Sequence, residues 1–547
     1  MDDKEFERLL LSVQKPGRYS GGEINSVVKD KNKVDVRFAF CFPDTYEIGM
    51  SHLGIKILYS QFNERDDIWC ERVFAPCEDF EKIMREKNIP LFGLESRDSI
   101  RDFDFIGFTL QYEMSYTNIL NMLDLAGVPL RAADRTELSP LVVAGGPCCS
   151  NAEPIADFFD LFFLGEGEEV DLEVIDLYKE YKKRGRSKRE FLRAAAQIEG
   201  VYVPSLYDIS YNADGTVKAI TPLDGAPAKI RKRIIKDLDT CYFPAKPVVP
   251  FIEVIHDRAL QEIFRGCIRG CRFCQAGFIC RPVREKSVDV INAQAKATCE
   301  NTGYDEISIS SLSTSDYTKL EPMLEKMLEW TEPKHISLSL PSLRIDNFSK
   351  ELLQKTNHIR KSGLTFAPEA GTQRLRDVIN KNVTEGEIFR TCLTAFEGGY
   401  TAVKLYFMLG LPTETDEDLE GIAALGQKIV DLYYHQENKP KGKPVSVSIS
   451  VSTFVPKPFT PFQFEPQISK EETERRQYYL RNCNKNRKVN ISWHDSATSY
   501  MEGVLARGDR RLSRVIETAF EKGCKFDSWT EYFSLEKWLE TFKECGI

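Results

Sequence analysis

The sequence predicts an α/β protein built from an amino-terminal doubly wound (Rossmann/flavodoxin-like) domain, a central partial (βα)6 barrel and a helical carboxy-terminal appendage. Three observations predict it. Short runs of β-branched and aromatic residues alternate with amphipathic stretches, and the runs are nearly continuous in apolar character, as parallel strands covered on both faces require. The alternation falls into two blocks separated by a stretch rich in Pro and Gly. A chain of 547 residues also exceeds what one hydrophobic core organises.

Residues 1–33 form a charged extension. From 34 to 181, strand-like runs at Val34 to Phe40, Phe103 to Phe108, Leu141 to Ala144 and Asp160 to Leu164 define the first domain. Residues 182–250 open on the basic run Lys182 to Arg189 and then gather Pro204, Gly215, Pro222, Gly225 and Pro227, which marks a connector with short strands. From 251 to 468, six strand-like segments recur with helical stretches between them: Leu260 to Phe264, Glu306 to Ser311, His335 to Leu340, Gly363 to Ala367, Ala402 to Leu409 and Val445 to Phe454. Strand and helix repeated in this way predict a barrel whose chemistry lies where the strands end. Residues 469–547 read as helix-rich, with Trp493, Trp529 and Trp538.

Composition narrows the function classes. The chain is 42% hydrophobic and 29% charged, as a folded globular protein is. Its 74 Lys and Arg against 83 Asp and Glu give a net charge of -9, a field that opposes non-specific binding to nucleic acid. The start is charged, and no apolar run approaches the roughly 18 residues of a spanning helix, so a cytoplasmic protein without membrane contact is expected. Fifteen cysteines in such a protein are mostly reduced core thiols, and spacing decides which bind metal.

One group has that spacing. Directly after the first barrel strand runs Gly266-Cys267-Ile268-Arg269-Gly270-Cys271-Arg272-Phe273-Cys274, with glycines that let the loop curl tightly. Thiolates so placed reach three corners of a cubane iron–sulfur cluster and leave the fourth iron open to a substrate or cofactor. The alternative is a structural zinc site in a non-catalytic binding or scaffold protein, which needs a distant fourth ligand such as His256 or Cys280. Cys148 and Cys149 show no metal spacing.

The Cys-x3-Cys-x-aromatic-Cys loop after the first strand of a partial, TIM-like barrel resembles the radical S-adenosylmethionine (SAM) superfamily. That resemblance implies that Cys267, Cys271 and Cys274 hold a [4Fe-4S] cluster, that SAM chelates the open iron, and that its reductive cleavage yields a 5'-deoxyadenosyl radical. It implies further that Phe273 stands near the adenine, that Ser311 at the end of the second strand contacts the methionine part, that Glu369 in Phe366 to Thr372 reaches the ribose, and that Gly410 in Met408 to Thr415 contacts adenine through its backbone. A reductant protein such as flavodoxin or ferredoxin is then a partner.

In the first domain, Gly145 and Gly146 follow one buried strand and Gly165 follows the next. Glycines there let a ligand approach the backbone at a sheet's carboxyl edge, and they equally suit tight turns. The order of Asp44 to Gly54, Gly145-Gly146-Pro147 and Gly165-Glu166-Gly167-Glu168 is similar to the cobalamin-binding domain that precedes many radical SAM barrels, and the whole is most like an uncharacterised group of those proteins. The Asp-x-His-x-x-Gly motif of histidine-ligated cobalamin is absent, because the residue two places before His52 is Met50. The resemblance therefore implies a radical SAM enzyme, with methylation as its reaction if cobalamin binds. The substrate, whether RNA, peptide or small molecule, is not legible.

Overall fold

The computed structural model describes residues 3–341, 364–436 and 442–547. The chain divides into two compact units, residues 1–257 with 508–547, and residues 258–507.

The first unit is built on a six-stranded sheet of β1 (Val36–Phe42), β2 (Ile68–Phe74), β3 (Phe105–Thr109), β4 (Leu141–Gly145), β5 (Leu161–Phe163) and β6 (Val201–Tyr202), in the order β2-β1-β3-β4-β5-β6. The first five are parallel and β6 closes one edge antiparallel. This is the doubly wound arrangement the apolar runs predict, with β1 and β2 buried at every position. One strand goes beyond the expectation. β2 reads Ile-Trp-Cys-Glu-Arg-Val-Phe, and its two charges obscure the apolar pattern. They are nonetheless buried as ion pairs: Arg72 lies between Glu23 and Glu95, each 2.7 Å away, and Glu71 meets Arg37 at 2.6 Å. The connector supplies β6 and a hairpin of β7 (Tyr207–Tyr211) and β8 (Val217–Pro222).

Residues 508–547 complete this unit rather than trailing from the barrel. Helix Leu512–Glu521 packs on helix Tyr116–Leu125 and on the turn at Glu153–Phe158, and helix Leu535–Cys545 packs on Leu512–Glu521 in turn. Two arginines of this segment are engaged within the unit. Arg510 pairs with Glu153 at 3.0 Å and donates to the Tyr202 hydroxyl, and Arg511 pairs with Asp509.

The second unit carries the barrel strands. β9 (Ala259–Glu262), β12 (Glu306–Ser310) and β13 (Ser337–Ser339) form one parallel sheet in the order β13-β12-β9. The short antiparallel pair β10 (Phe264–Arg265) and β11 (Arg284–Glu285) brackets the cysteine loop. β14 (Leu364–Glu369), β15 (Ala402–Leu409), β16 (Ser446–Thr453) and β17 (Val489–Trp493) form a second, wholly parallel sheet. Five of the six expected strands are seen with small shifts of their ends; of the fourth, Gly363 lies outside the described residues. β17 is an addition, falling in the region expected to be helical, so that this stretch is shared between a barrel-like strand and helices. Buried residues of the second sheet, among them Leu405, Phe407, Val447 and Ile449, share one core with Leu419, Ile422 and Ile429 of helix Asp416–His435. Among the described residues, no helix is long and apolar enough to cross a membrane.

Candidate functional site

The cysteine loop leaves β10 through Gly266. This residue has φ +87°, and a Cβ there would meet the Pro282 carbonyl oxygen at 2.6 Å, so only glycine allows the turn. Cys271 is buried and Cys267 and Cys274 are half-buried. The Cys267 Sγ accepts the Arg269 backbone N–H at 3.4 Å, and the Cys274 Sγ accepts that of Gly277 at 3.4 Å. Burial pushes the Cys274 thiol above the usual range, and the nearby Cys271 and Cys267 push in the same direction. Cys274 thus lies within electrostatic reach of both other cysteines of the loop.

Among the described residues, no group of three or more His, Cys, Asp or Glu is drawn together tightly enough to hold one metal ion. A tetrahedral zinc with Zn–S near 2.3 Å needs sulfurs about 4 Å apart, whereas thiolates on separate corners of a cubane stand on different irons and lie further apart. His256, one candidate fourth ligand for zinc, belongs to the other unit.

The loop is fixed from three sides. Arg269 pairs with Asp316, whose carboxylate also accepts from Ser313 Oγ at 2.6 Å, tying the loop to the segment after β12. Asn380 Nδ2 donates to the Gly270 carbonyl at 2.9 Å and the Arg272 N–H donates to the Ile379 carbonyl at 3.0 Å, tying it to the helix after β14. Phe462 N–H donates to the Arg272 carbonyl at 3.2 Å. Charge-assisted and backbone bonds of this kind hold a site before any ligand arrives.

The residues singled out after the other strands gather at the same place. Phe273 packs on a cluster of Ala370, Leu375, Ile379, Leu411 and Phe454, drawn from the ends of β14, β15 and β16. Ser311 lies just past β12, and its Oγ is 3.0 Å from Thr314 Oγ1. Glu369 ends β14 with φ +68°, a left-handed backbone unfavourable for a non-glycine residue, and Thr413 in the turn after β15 has φ +66°. These are two strained positions at adjacent strand ends. Glu369 pairs with Lys381 at 3.1 Å, and the positive charge of Lys381 also acts on Cys274. Gly410 (φ +84°) donates its N–H to Glu414 Oε2 at 2.7 Å. That oxygen also meets Arg476 at 2.7 Å, and burial pushes the Glu414 carboxyl up to about 7.

Lys381, Asp316, Asn380 and Arg476 are functional neighbours that the sequence does not announce. Each acts across a distance that only the fold closes, from Asp316 47 positions after Arg269 to Asn380 110 positions after Gly270. Glu414 lay within a motif already singled out, and a charge inside an otherwise apolar turn was its signal.

The three glycines of the first unit differ. Gly145 keeps an open side, its nearest neighbour in the Cβ direction being Phe163 Cβ at 3.8 Å. At Gly146 that direction is filled by the Leu110 backbone, 2.7 Å away, and at Gly165 by the Arg233 backbone, 2.2 Å away, through a bridge to the connector. The chain itself therefore accounts for the last two glycines.

Comparison with known proteins places these features. Residues 262–426 match the family described as the radical SAM superfamily, and residues 54–204 match radical SAM proteins, N-terminal. An uncharacterized protein of Methanocaldococcus jannaschii is 28% identical over 513 residues, covering 93% of this chain and 97% of that one. Among solved structures, the radical SAM methyltransferase TsrM from Kitasatospora setae, with tryptophan substrate and a SAM analogue bound, superimposes with a TM-score of 0.54 at 11% identity, over 93% of this chain and all of that one. The cobalamin-dependent SAM radical enzyme OxsB, with aqua-cobalamin and SAM bound, gives 0.52 at 14% identity, over 98% and 76%. At such identities the likeness is one of fold.

Proposed function

From the premise that this chain belongs to the radical SAM superfamily and is a radical SAM enzyme, we propose that Cys267, Cys271 and Cys274 hold three irons of its [4Fe-4S] cluster and leave the fourth for SAM. The residues fit the group: three thiols share one braced loop, and Cys274 lies within electrostatic reach of the other two. When bound and reduced, the cluster supplies the electron that splits SAM into methionine and a 5'-deoxyadenosyl radical, which takes hydrogen from a substrate.

The other roles belong to the chain. Arg269 and Asp316 keep the loop in register with the end of β12, where Ser311 offers a hydroxyl to the methionine part. Lys381 places a cation between Glu369 and Cys274 and holds that carboxylate toward the ribose. Phe273 supplies an apolar wall for adenine. Glu414 fixes the Gly410 backbone, so that the turn presents its remaining polar groups in a set direction, and the surrounding apolar cluster keeps water away. A reductant protein of the flavodoxin or ferredoxin kind is the partner that delivers electrons, and the substrate is RNA, peptide or a small molecule.

The observation that carries this reading is the convergence of the cysteine loop with the ends of β12, β14 and β15. Its test is anaerobic reconstitution with iron and sulfide, followed by reduction in the presence of SAM. About four irons per chain and release of 5'-deoxyadenosine are expected, and Cys271→Ala is expected to yield neither. A colourless protein holding one zinc, or product from the variant, would overturn it.

The amino-terminal sheet supports a second element of the proposal, that a cobalamin binds at its carboxyl edge and directs the reaction to methylation of a carbon. The residues there fit a ligand that brings hydrogen-bonding groups: buried polar atoms of His52, which caps helix Leu53–Glu64, of Gln61 on that helix and of Asp171 on helix Gly167–Lys183 have no partner. Gly145, at the carboxyl end of β4, keeps an open side on that edge. Absorbance of corrinoid retained through gel filtration is the expected result.

A further inference from the structure

β1 and β3 are neighbours, yet the chain passes from β1 to β2 on the opposite side, so the loops following β1 and β3 diverge and open the crevice in which sheets of this kind bind ligands. The start of helix Leu53–Glu64, with His52 against Gln111 of the loop after β3, stands on its β1 side. His52 caps helix Leu53–Glu64, and Lys56 follows one turn later on the same face.

Lys56 is only 6% exposed. It makes no side-chain hydrogen bond and no ion pair; Asp257 acts on it electrostatically from beyond contact, and burial draws the ammonium down to about 8. His52 is drawn by burial to about 4, so its ring is neutral at pH 7, and the charge of Lys56 contributes in the same direction. Gln111, from the loop after β3, lies against the imidazole, while His52 Nδ1 has no partner. Gln111 Nε2 donates to Thr109 Oγ1 at 2.7 Å and lies 3.1 Å from where a Cβ on Gly146 would stand, which places the group beside the end of β4.

A lysine with a buried stem is ordinarily paired or turned out to solvent; the Lys56 Nζ is not fully enclosed, so the ammonium reaches open space that holds no protein acceptor. The pair of basic groups is explained by an acceptor that arrives from outside, carrying about one negative charge to match one ammonium and a further atom to meet the unpartnered imidazole nitrogen.

We propose that Lys56 and His52 form a subsite for a phosphate group of a ligand seated in this crevice. Resting on the reading that the unit takes cobalamin, that group is the phosphodiester of the nucleotide tail, which bears a single negative charge. Lys56 neutralises it and the imidazole adds one hydrogen bond.

The test compares hydroxocobalamin with cobinamide, which lacks the nucleotide and its phosphate, on the full-length reconstituted protein and on Lys56→Met, Lys56→Arg and His52→Gln. The wild type is expected to bind cobalamin at least tenfold more tightly than cobinamide. Lys56→Met is expected to erase that preference without changing cobinamide binding or iron content, His52→Gln to reduce it several-fold, and Lys56→Arg to keep most of it. An unchanged preference in Lys56→Met overturns the subsite while leaving cobalamin binding intact. If neither corrinoid binds, the cobalamin reading falls and inorganic pyrophosphate decides. Protection of Lys56 in the wild type from acetylation, read by mass spectrometry, then sustains the phosphate subsite, and equal labelling with and without pyrophosphate overturns it.

Discussion

Asp527 is 1% exposed and its carboxylate accepts hydrogen bonds only from neutral donors, Thr117 Oγ1 at 2.8 Å and Trp538 Nε1 at 3.3 Å. Burial pushes the carboxyl up to about 6. Between the ordinary aspartate range near 4 and that value, the folded chain holds a proton that the unfolded chain releases, so stability falls as pH rises through the window and is flat above it. Asp527→Asn keeps the shape and removes the titration. The stability of the wild type relative to the variant is therefore expected to drop by about 2 kcal/mol from pH 4 to pH 6.5, read from urea unfolding, and a pH-independent difference would refute the assignment. The same scale shows what a sequence discloses. The grouping of Cys267, Cys271 and Cys274 can be read from local spacing, whereas Phe273, Ser311, Glu369 and Gly410 are singled out only by the resemblance to radical SAM proteins. Lys381 and Asp316 are found in neither way, since a lone charge acquires meaning only when the fold sets it beside a thiol or an arginine.

Strands β2 and β17 show why some elements escape a reading of pattern. β17 lies on an edge, pairs only with β16 and alternates buried and exposed residues, so it lacks the continuous apolar run by which the other barrel strands declare themselves. β2 has the opposite difficulty, being buried throughout while carrying Glu71 and Arg72. Arg72 is held by two carboxylates and lies over the Tyr59 ring at 5.4 Å. Removing it leaves Glu23 and Glu95 buried without a counter-charge. Arg72→Met is expected to cost about 3–5 kcal/mol in the urea midpoint of the amino-terminal unit. Adding Glu23→Gln and Glu95→Gln to that variant is expected to recover part of the loss, because the unpaired charges go with them; no recovery would mean that the arginine acts through packing alone.

Across the whole molecule, the feature least visible in the sequence is the return of the last forty residues to the unit formed by the first 257. The six-strand recurrence and the cysteine loop made the barrel legible from short-range pattern, whereas the docking of a terminal segment depends on complementarity between surfaces more than 300 positions apart, as between Asn151 and Gly508 or Thr117 and Asp527. The segment contributes core rather than decoration. Leu512, Val515, Ile516, Ala519 and Trp538 are all nearly or fully buried, and Trp529 donates to Asp44 at the end of β1. At about 1.5–3 kcal/mol for each large apolar side chain, their removal rivals the 5–15 kcal/mol by which whole domains are stable. A chain ending at Arg507 is therefore expected to lose protease resistance across residues 1–257 while its barrel still takes up about four irons on reconstitution, since the cysteine loop and every brace on it lie within 258–507. Loss of iron uptake together with loss of protease resistance would show that the barrel depends on the other unit for its stability, and retention of both would show that the terminal helices contribute little to the core they fill.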